Sequence, residues 1–174
     1  MIPAAFITEW ANTAAWPTVE QIEQDLVLSR LIIEIANDDY LGKELVFRGG
    51  TCLHKLRLDS ALRYSEDLDY VRRSAGSISE IIDAIRAIAN GLDMSVTTKI
   101  TTNPKIRLRA SFESGSGTMS VKIEVNTYER SPAMGLQRVA YSVDNQWYRG
   151  AADVQTFTVA ELVATKIRAL YQRS

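Results

Sequence analysis

The sequence predicts an α/β (α+β) fold in which a mixed, partly antiparallel sheet is flanked by helices. Three observations predict it. The apolar run Leu45-Val46-Phe47 stops at Gly49-Gly50 and is followed by a helical stretch, so a buried strand enters a tight turn and then a helix. Beyond Gly91 the apolar spacing changes from helical to alternating. Near the end, Thr158-Val159-Ala160-Glu161 has the form of a capping box and returns the chain to helix.

The first eighteen residues, with Trp10, Trp16 and Pro17, read as a short helix or an extended arm. A helix follows from Thr18 to about Asn37–Asp39. Thr18 can cap it, Glu20 and Glu23 suit its positive end, and Val19, Ile22, Leu26 and Ile33 form its apolar stripe. Residues 51–58 are helical after the Gly-Gly turn, with Leu53 and Leu56 inward. A second strand contains Asp67–Val71. Ile78 to Asn90 is an amphipathic helix, with Ile81, Ile82, Ile85 and Ile88 at helical spacing and Gly91 beyond its end. Met94–Ile100, Lys105–Phe112 and Met119–Thr127 read as three strands, the last two joined as a hairpin across Ser114–Gly117. Val139–Val143 is a candidate strand, Trp147-Tyr148 an exposed or gating pair, and the last helix runs through Tyr171.

Composition narrows the function classes. The 174 residues make one ordinary domain or two very small ones, and 46% apolar with 24% charged residues is a globular composition. Lys plus Arg number 20 and Asp plus Glu 21, a net charge of -1, which excludes a binder acting through bulk positive charge but leaves room for a local basic patch. Cys52 and His54 are the only residues of their kinds, so an intrachain disulfide, a cysteine-rich zinc site and a multi-histidine metal site are all excluded. No apolar run approaches the ~20 residues that span a bilayer. The N-terminal MIPAAFITEW lacks a basic segment and carries Glu9, so it does not read as a signal peptide, and a cytoplasmic location is expected.

The chemistry is concentrated in a Gly-Gly turn followed by strand-borne carboxylates. On a strand Asp67 and Asp69 point the same way, ~6.5–7 Å apart at Cα, while Leu68 and Tyr70 face a core. Two such carboxylates repel unless a cation neutralises them, and Mg²⁺, a hard ion that shares its ligands with phosphates, is the natural candidate. In Val121–Asn126, Lys122, Glu124 and Asn126 share the polar face. If this strand neighbours the first, Glu124 completes a three-carboxylate cluster able to hold two metal ions for an in-line phosphoryl displacement. Gly49 and Gly50 let backbone N–H groups approach a phosphate at the N-terminus of the next helix. Thr51 and Lys55 lie on its first turns, and Lys55 can serve as a mobile point charge for a β- or γ-phosphate.

These residues carry a family resemblance. Phe47-Arg48-Gly49-Gly50-Thr51-Cys52-Leu53-His54-Lys55 resembles the GGT-x-L-x-K motif of the AbiEii/AbiGii-type nucleotidyltransferase toxins, and Arg63–Tyr70 resembles their R-x-S-x-D-L-D-(F/Y) motif. Lys122–Asn126 is similar to the third motif and Ala164–Leu170 to the start of the fourth. The resemblance implies a polymerase-β-like nucleotidyltransferase fold and the toxin half of a bacterial toxin–antitoxin or abortive-infection pair. It implies an NTP substrate and Mg²⁺, or Mn²⁺ in its place, with RNA as acceptor (the tRNA 3′ end leading) and a cognate antitoxin as partner. Asp67, Asp69 and Glu124 would then be the metal-binding and catalytic acids. Gly49, Gly50, Thr51, Lys55 and Ser65 would bind the nucleotide, and Lys166, on the inner face of the last helix, would reach its phosphates and count among both the catalytic and the nucleotide-binding residues. Some relatives are silenced by phosphorylation of an active-site hydroxyl, for which Thr51 and Ser65 are both open. Relatives usually continue past the Lys166 helix into a basic Arg-Asp stretch and further helices. Residues 1–174 are therefore expected to be one nucleotidyltransferase domain with that region missing or truncated. The competing expectation is a catalytically inactive, shortened module that binds nucleotide or an antitoxin.

Other residues carry two readings each. His54 touches the nucleotide or is a half-exposed structural histidine, and Cys52 packs as a small apolar residue. Arg57, Arg63, Arg72 and Arg73 attract RNA or are solvated surface arginines. Arg107 and Arg109 share a strand face that lines a groove or is merely exposed. Trp147 and Tyr148 stack on a base or close over a core.

Overall fold

The computed structural model describes residues 2–58 and 64–171. Arg63, from the second motif, and Gln172–Ser174 lie outside the described residues. Helix α1 (Ala4–Trp10) leads to α2 (Val19–Asn37), whose N-terminus is a complete capping box. Gln21 N–H donates to Thr18 Oγ1 at 3.3 Å and Thr18 N–H to Gln21 Oε1 at 3.4 Å. The expected cap is therefore present, with Gln21 as its second member. From Ile22 onward α2 is buried on nearly every side, packing on α1, α5 and strands of the sheet, and so it is the axis of the core.

The short α3 (Leu41–Glu44), not expected from the sequence, turns the chain into β1 (Leu45–Arg48), from which α4 (Gly49–Arg57) starts directly. Next come β2 (Asp67–Arg72), α5 (Ser79–Asn90), β3 (Ser95–Lys99), β4 (Lys105–Ser111) and β5 (Thr118–Asn126). The chain ends in β6 (Leu136–Asp144), β7 (Arg149–Phe157) and α6 (Val159–Tyr171). The candidate strand at Val139–Val143 is the middle of β6. Its partner β7 escapes a sequence reading because Gly150, Ala151, Ala152 and Asp153 are poor strand formers.

The seven strands form one mixed sheet in the order β3-β4-β5-β2-β1-β7-β6. β2 lies between antiparallel β1 and parallel β5, and β1 is parallel to β7. One face of the central strands is fully buried through Leu68, Tyr70, Val121, Ile123 and Val125, while Asp67, Asp69, Lys122 and Glu124 stand half-exposed on the other.

At the C-terminal helix only half of the expected capping box forms. Glu161 N–H donates to Thr158 Oγ1 at 3.3 Å, but the Glu161 carboxylate accepts instead from the backbone N–H groups of Ala133 and Met134. It thereby ties α6 to the β5–β6 connection. No described helix is long and apolar enough to cross a membrane.

Candidate active site

Strand register builds the acidic cluster. In the parallel β2–β5 pair Asp67 stands opposite Lys122 and Asp69 opposite Glu124, which is the neighbour relationship that a third acid requires. Asp69 feels its neighbours: burial first, then the charges of Asp67 and Glu124, push its carboxyl above the ordinary range, and Lys122 and Arg48 only partly offset them. Lys122 lies among the acids, with Nζ 2.8 Å from Asp67 Oδ2 and 3.7 Å from Glu124 Oε2, while Lys105 approaches Glu124 at 3.6 Å. The hydrogen bond to Asp67 raises the Lys122 pKa. Among the described residues no three His, Cys, Asp or Glu side chains are gathered closely enough to hold a metal ion. The donor chemistry nevertheless fits a divalent cation: three carboxylates share one face, and their repulsion is relieved here by an ammonium group that a harder cation could displace.

The Gly-Gly turn sits under this cluster. Gly49 has φ +86°, and a Cβ there would lie 2.3 Å from Asp69 Oδ2. Only glycine meets both demands. A Cβ on Gly50 would meet only Ser65 Oγ, at 3.9 Å, so the space above it is open. Thr51 is fully buried. Its Oγ1 donates to the Asp67 carbonyl at 2.6 Å and lies 2.7 Å from Ser65 Oγ. Thr51 and Ser65 therefore join each other and fasten α4 to β2.

Of the two lysines expected at the phosphates, Lys55 is engaged with another partner and Lys166 is exposed. Lys55 is not a mobile charge: its Nζ donates to Asp25 Oδ1 at 2.6 Å, with both side chains buried. Asp25 also accepts from Trp10 Nε1 and Trp16 Nε1, each at 2.9 Å, so the N-terminal arm completes the pocket of the pair. Burial pulls the Lys55 pKa down despite Asp25. Lys166 is exposed on α6, whose covered side carries Leu162 and Thr165. A helix turns about 100° per residue, so Lys166, four residues after Leu162, stands within about 40° of it at the margin of that stripe.

Sequence reasoning missed a second group beside Asp69. Arg48, opposite Asp69 in the β1–β2 register, donates to Glu129 Oε2 at 2.6 Å, and Arg168 of α6 also pairs with Glu129. Burial raises the Glu129 pKa, but its bonds to Arg48 and the two arginine charges outweigh this and hold the carboxyl below its ordinary value. These residues, with Tyr128, Ala164 and Thr165, line a cavity of about 420 Å³. Arg48 and Arg168 fall inside the quoted motifs, but no spacing rule links either to Glu129.

The remaining candidates resolve individually. Cys52 is fully buried, its Sγ 3.1 Å from Thr156 Oγ1, and burial pushes its thiol up to about 12. His54 packs edge-on against Trp16, and burial, then Lys55, lowers its pKa. Arg72 is buried and caps the carbonyls of Gly76 and Ser77, Arg57 donates to Gln137 at 2.6 Å, and Arg73 to the Lys43 carbonyl at 3.3 Å. Arg72 is thus not a solvated surface arginine, while Arg57 is half-buried and bonded to Gln137 at the surface. Trp147 and Tyr148 form the half-buried tip of the β6–β7 hairpin, where the Arg30 guanidinium lies 4.8 and 4.6 Å from their ring centres.

A family model described as the nucleotidyl transferase AbiEii toxin of type IV toxin–antitoxin systems matches residues 30–174. Among solved structures, MenT4, a nucleotidyltransferase toxin from Mycobacterium tuberculosis, is similar with TM-score 0.64 and 20% identity over 96% of this chain. JHP933 from Helicobacter pylori is similar with TM-score 0.55 and 12% identity over 86%. The matches cover 58% and 56% of those proteins, so this chain spans little more than half their length. No curated protein sequence matches it.

Proposed function

The chain belongs to the AbiEii nucleotidyltransferase toxin family, and from that premise we propose that it transfers a nucleotide from an NTP to an RNA acceptor as the toxin of a toxin–antitoxin pair. The tRNA 3′ end is the leading acceptor, and a cognate antitoxin protein the expected partner. The observation that carries the reading is the register that sets Asp69 beside Glu124 and Asp67 beside Lys122, directly over the Gly49 turn. Nucleotidyl transfer needs a face where carboxylates gather beside open backbone, and this is the face that supplies both.

In this reading Asp67, Asp69 and Glu124 would hold Mg²⁺, which would supply positive charge to the triphosphate and to the charge that develops in the displacement. The chain's own residues do the rest. The open space at Gly50 admits a phosphate to the start of α4, and the Thr51–Ser65 hydrogen bond keeps that turn in shape. Lys122 would give up its bond to Asp67 where that carboxylate holds the ion. Glu124 accepts the proton of the attacking hydroxyl. Lys55, held by Asp25, fixes the helix that carries the turn, and Lys166 is free to meet a phosphate from the exposed side of α6.

The test is label transfer from each α-labelled NTP into total RNA with Mg²⁺, the unmutated chain beside Asp69→Ala. Label in tRNA-sized species with the unmutated chain alone is the expected result. The buried Asp25–Lys55 pair favours a second reading, a nucleotide- or antitoxin-binding module without transfer. NTP-induced stabilisation without any labelled RNA would establish that module in place of the enzyme.

A further inference from the structure

The face that bears the acids continues past them to the edge of the sheet. Register places Lys105 beside Glu124, Arg107 beside Lys122, Arg109 beside Ser120 and Lys99 beside Lys105. Lys99, Lys105, Arg107 and Arg109 are all exposed, while the alternate residues Ile106 and Leu108 are fully buried, so the strip is one surface facing one way. Neither β3 nor β4 contains an acidic residue. Arg107 donates to Ser120 Oγ at 3.0 Å, and Arg107, Arg109 and Lys99 make no ion pair among the described residues. In a chain of net charge -1 this is a local concentration of cations ending at an acidic cluster.

We propose that the exposed basic face of β3 and β4 binds the phosphate backbone of the RNA acceptor strand and leads its 3′ end to the carboxylates; this rests on the transfer reading above. Charge complementarity selects a polyanion. Alternate residues along β4 stand ~6.5–7 Å apart, a spacing suited to successive phosphates of an extended strand. The two central cations are arginines, whose planar forks hold phosphate oxygens in pairs. Such contacts fix a backbone without reading sequence, so the face orients an acceptor end and leaves base choice to other residues.

The test measures binding of a labelled single-stranded RNA oligonucleotide to the full chain across a salt series. Arg107→Ala/Arg109→Ala is compared with Arg138→Ala/Arg149→Ala, which removes two exposed arginines at the opposite edge of the sheet. The first pair is expected to weaken binding about tenfold and to reduce the slope of log affinity against log salt by about 1.4, at ~0.7 per lost phosphate contact. The second pair is expected to change affinity less than about twofold. Equal losses from both pairs, no loss from the first, or no RNA binding by the unmutated chain would overturn the proposal. Label transfer is followed in parallel. Transfer by the unmutated chain with undiminished RNA affinity in the first pair sinks the docking face and leaves the enzyme standing. RNA affinity lost in that pair without transfer by the unmutated chain sinks the enzyme and leaves the face. A binding site for an acidic protein in place of RNA would appear as antitoxin affinity lost in the first pair with RNA affinity retained.

Discussion

Gly49 and Asp69 are in contact so close that no side chain fits between them: a Cβ at position 49 would lie 2.3 Å from Asp69 Oδ2. With φ at +86°, Gly49→Ala combines backbone strain of about 1–3 kcal/mol with displacement of the carboxylate. It is expected to lower the denaturation midpoint and to abolish transfer. Gly50→Ala meets open space and is expected to add about 0.5–1 kcal/mol of helix stability while weakening NTP binding. Denaturant titration with NTP-induced melting shifts measures both, and equal behaviour of the two variants would refute the distinction.

Asp69 costs the fold stability at neutral pH. Its carboxyl is raised above the unfolded value of about 3.9, so the native state holds its proton more tightly than the unfolded chain does. Stability from this group is full below the unfolded pKa and is lost as pH rises through the raised native value. Asp69→Asn is therefore expected to melt higher than the unmutated chain at pH 7, with the difference shrinking towards pH 3. A difference that is constant with pH would contradict this.

Lys122 is a resident counter-ion for the acids, bound to Asp67 at 2.8 Å. Lys122→Met should lower the melting temperature without divalent metal and enlarge the stabilisation produced by Mg²⁺, because the metal no longer competes with an ammonium. Isothermal titration with Mg²⁺ checks the second part directly. Weaker Mg²⁺ binding in the variant would mean that Lys122 supports the metal site.

Asp25 and Lys55 form a pair whose removal on one side leaves a buried charge. Asp25→Ala is expected to cost about 3–5 kcal/mol, and Lys55→Met a comparable amount. The double variant should cost clearly less than the two losses added, a coupling that a double-mutant cycle in urea resolves. Simple additivity would show that the pair is not a unit.

The legible parts of this molecule were those written in periodicity and spacing. Thr18, the Ile81/Ile85 stripe, the Ser114–Gly117 hairpin and the Asp67/Asp69 alternation each announce a local geometry, and the structure has them. Glu124 was also within reach, because polar alternation shows which face it takes, although the β2–β5 pairing itself is long-range. Illegible features depended on partners distant in sequence. Lys55 reads as a phosphate ligand until α2 brings Asp25 to it, and Arg72 as a surface arginine until its own turn closes over it. β7 carries too little strand propensity to be seen without β1 and β6 on either side. Lys166 follows Leu162 by four residues and so shares its side of α6, yet it is exposed, because its surroundings are set by elements distant in sequence.

The parallel pairing of β2 with β5 also sets a schedule for synthesis. Asp67 and Asp69 leave the ribosome early, but β5 reaches their side only after α5, β3 and β4 have been made, and β1 gains its outer neighbour only when β7 emerges. A nascent chain thus carries its acids on a half-paired strand while α5, β3 and β4 are being made. Vectorial folding therefore closes the three-carboxylate face only when β5 pairs with β2, so the proposed site assembles later than its own first two acids.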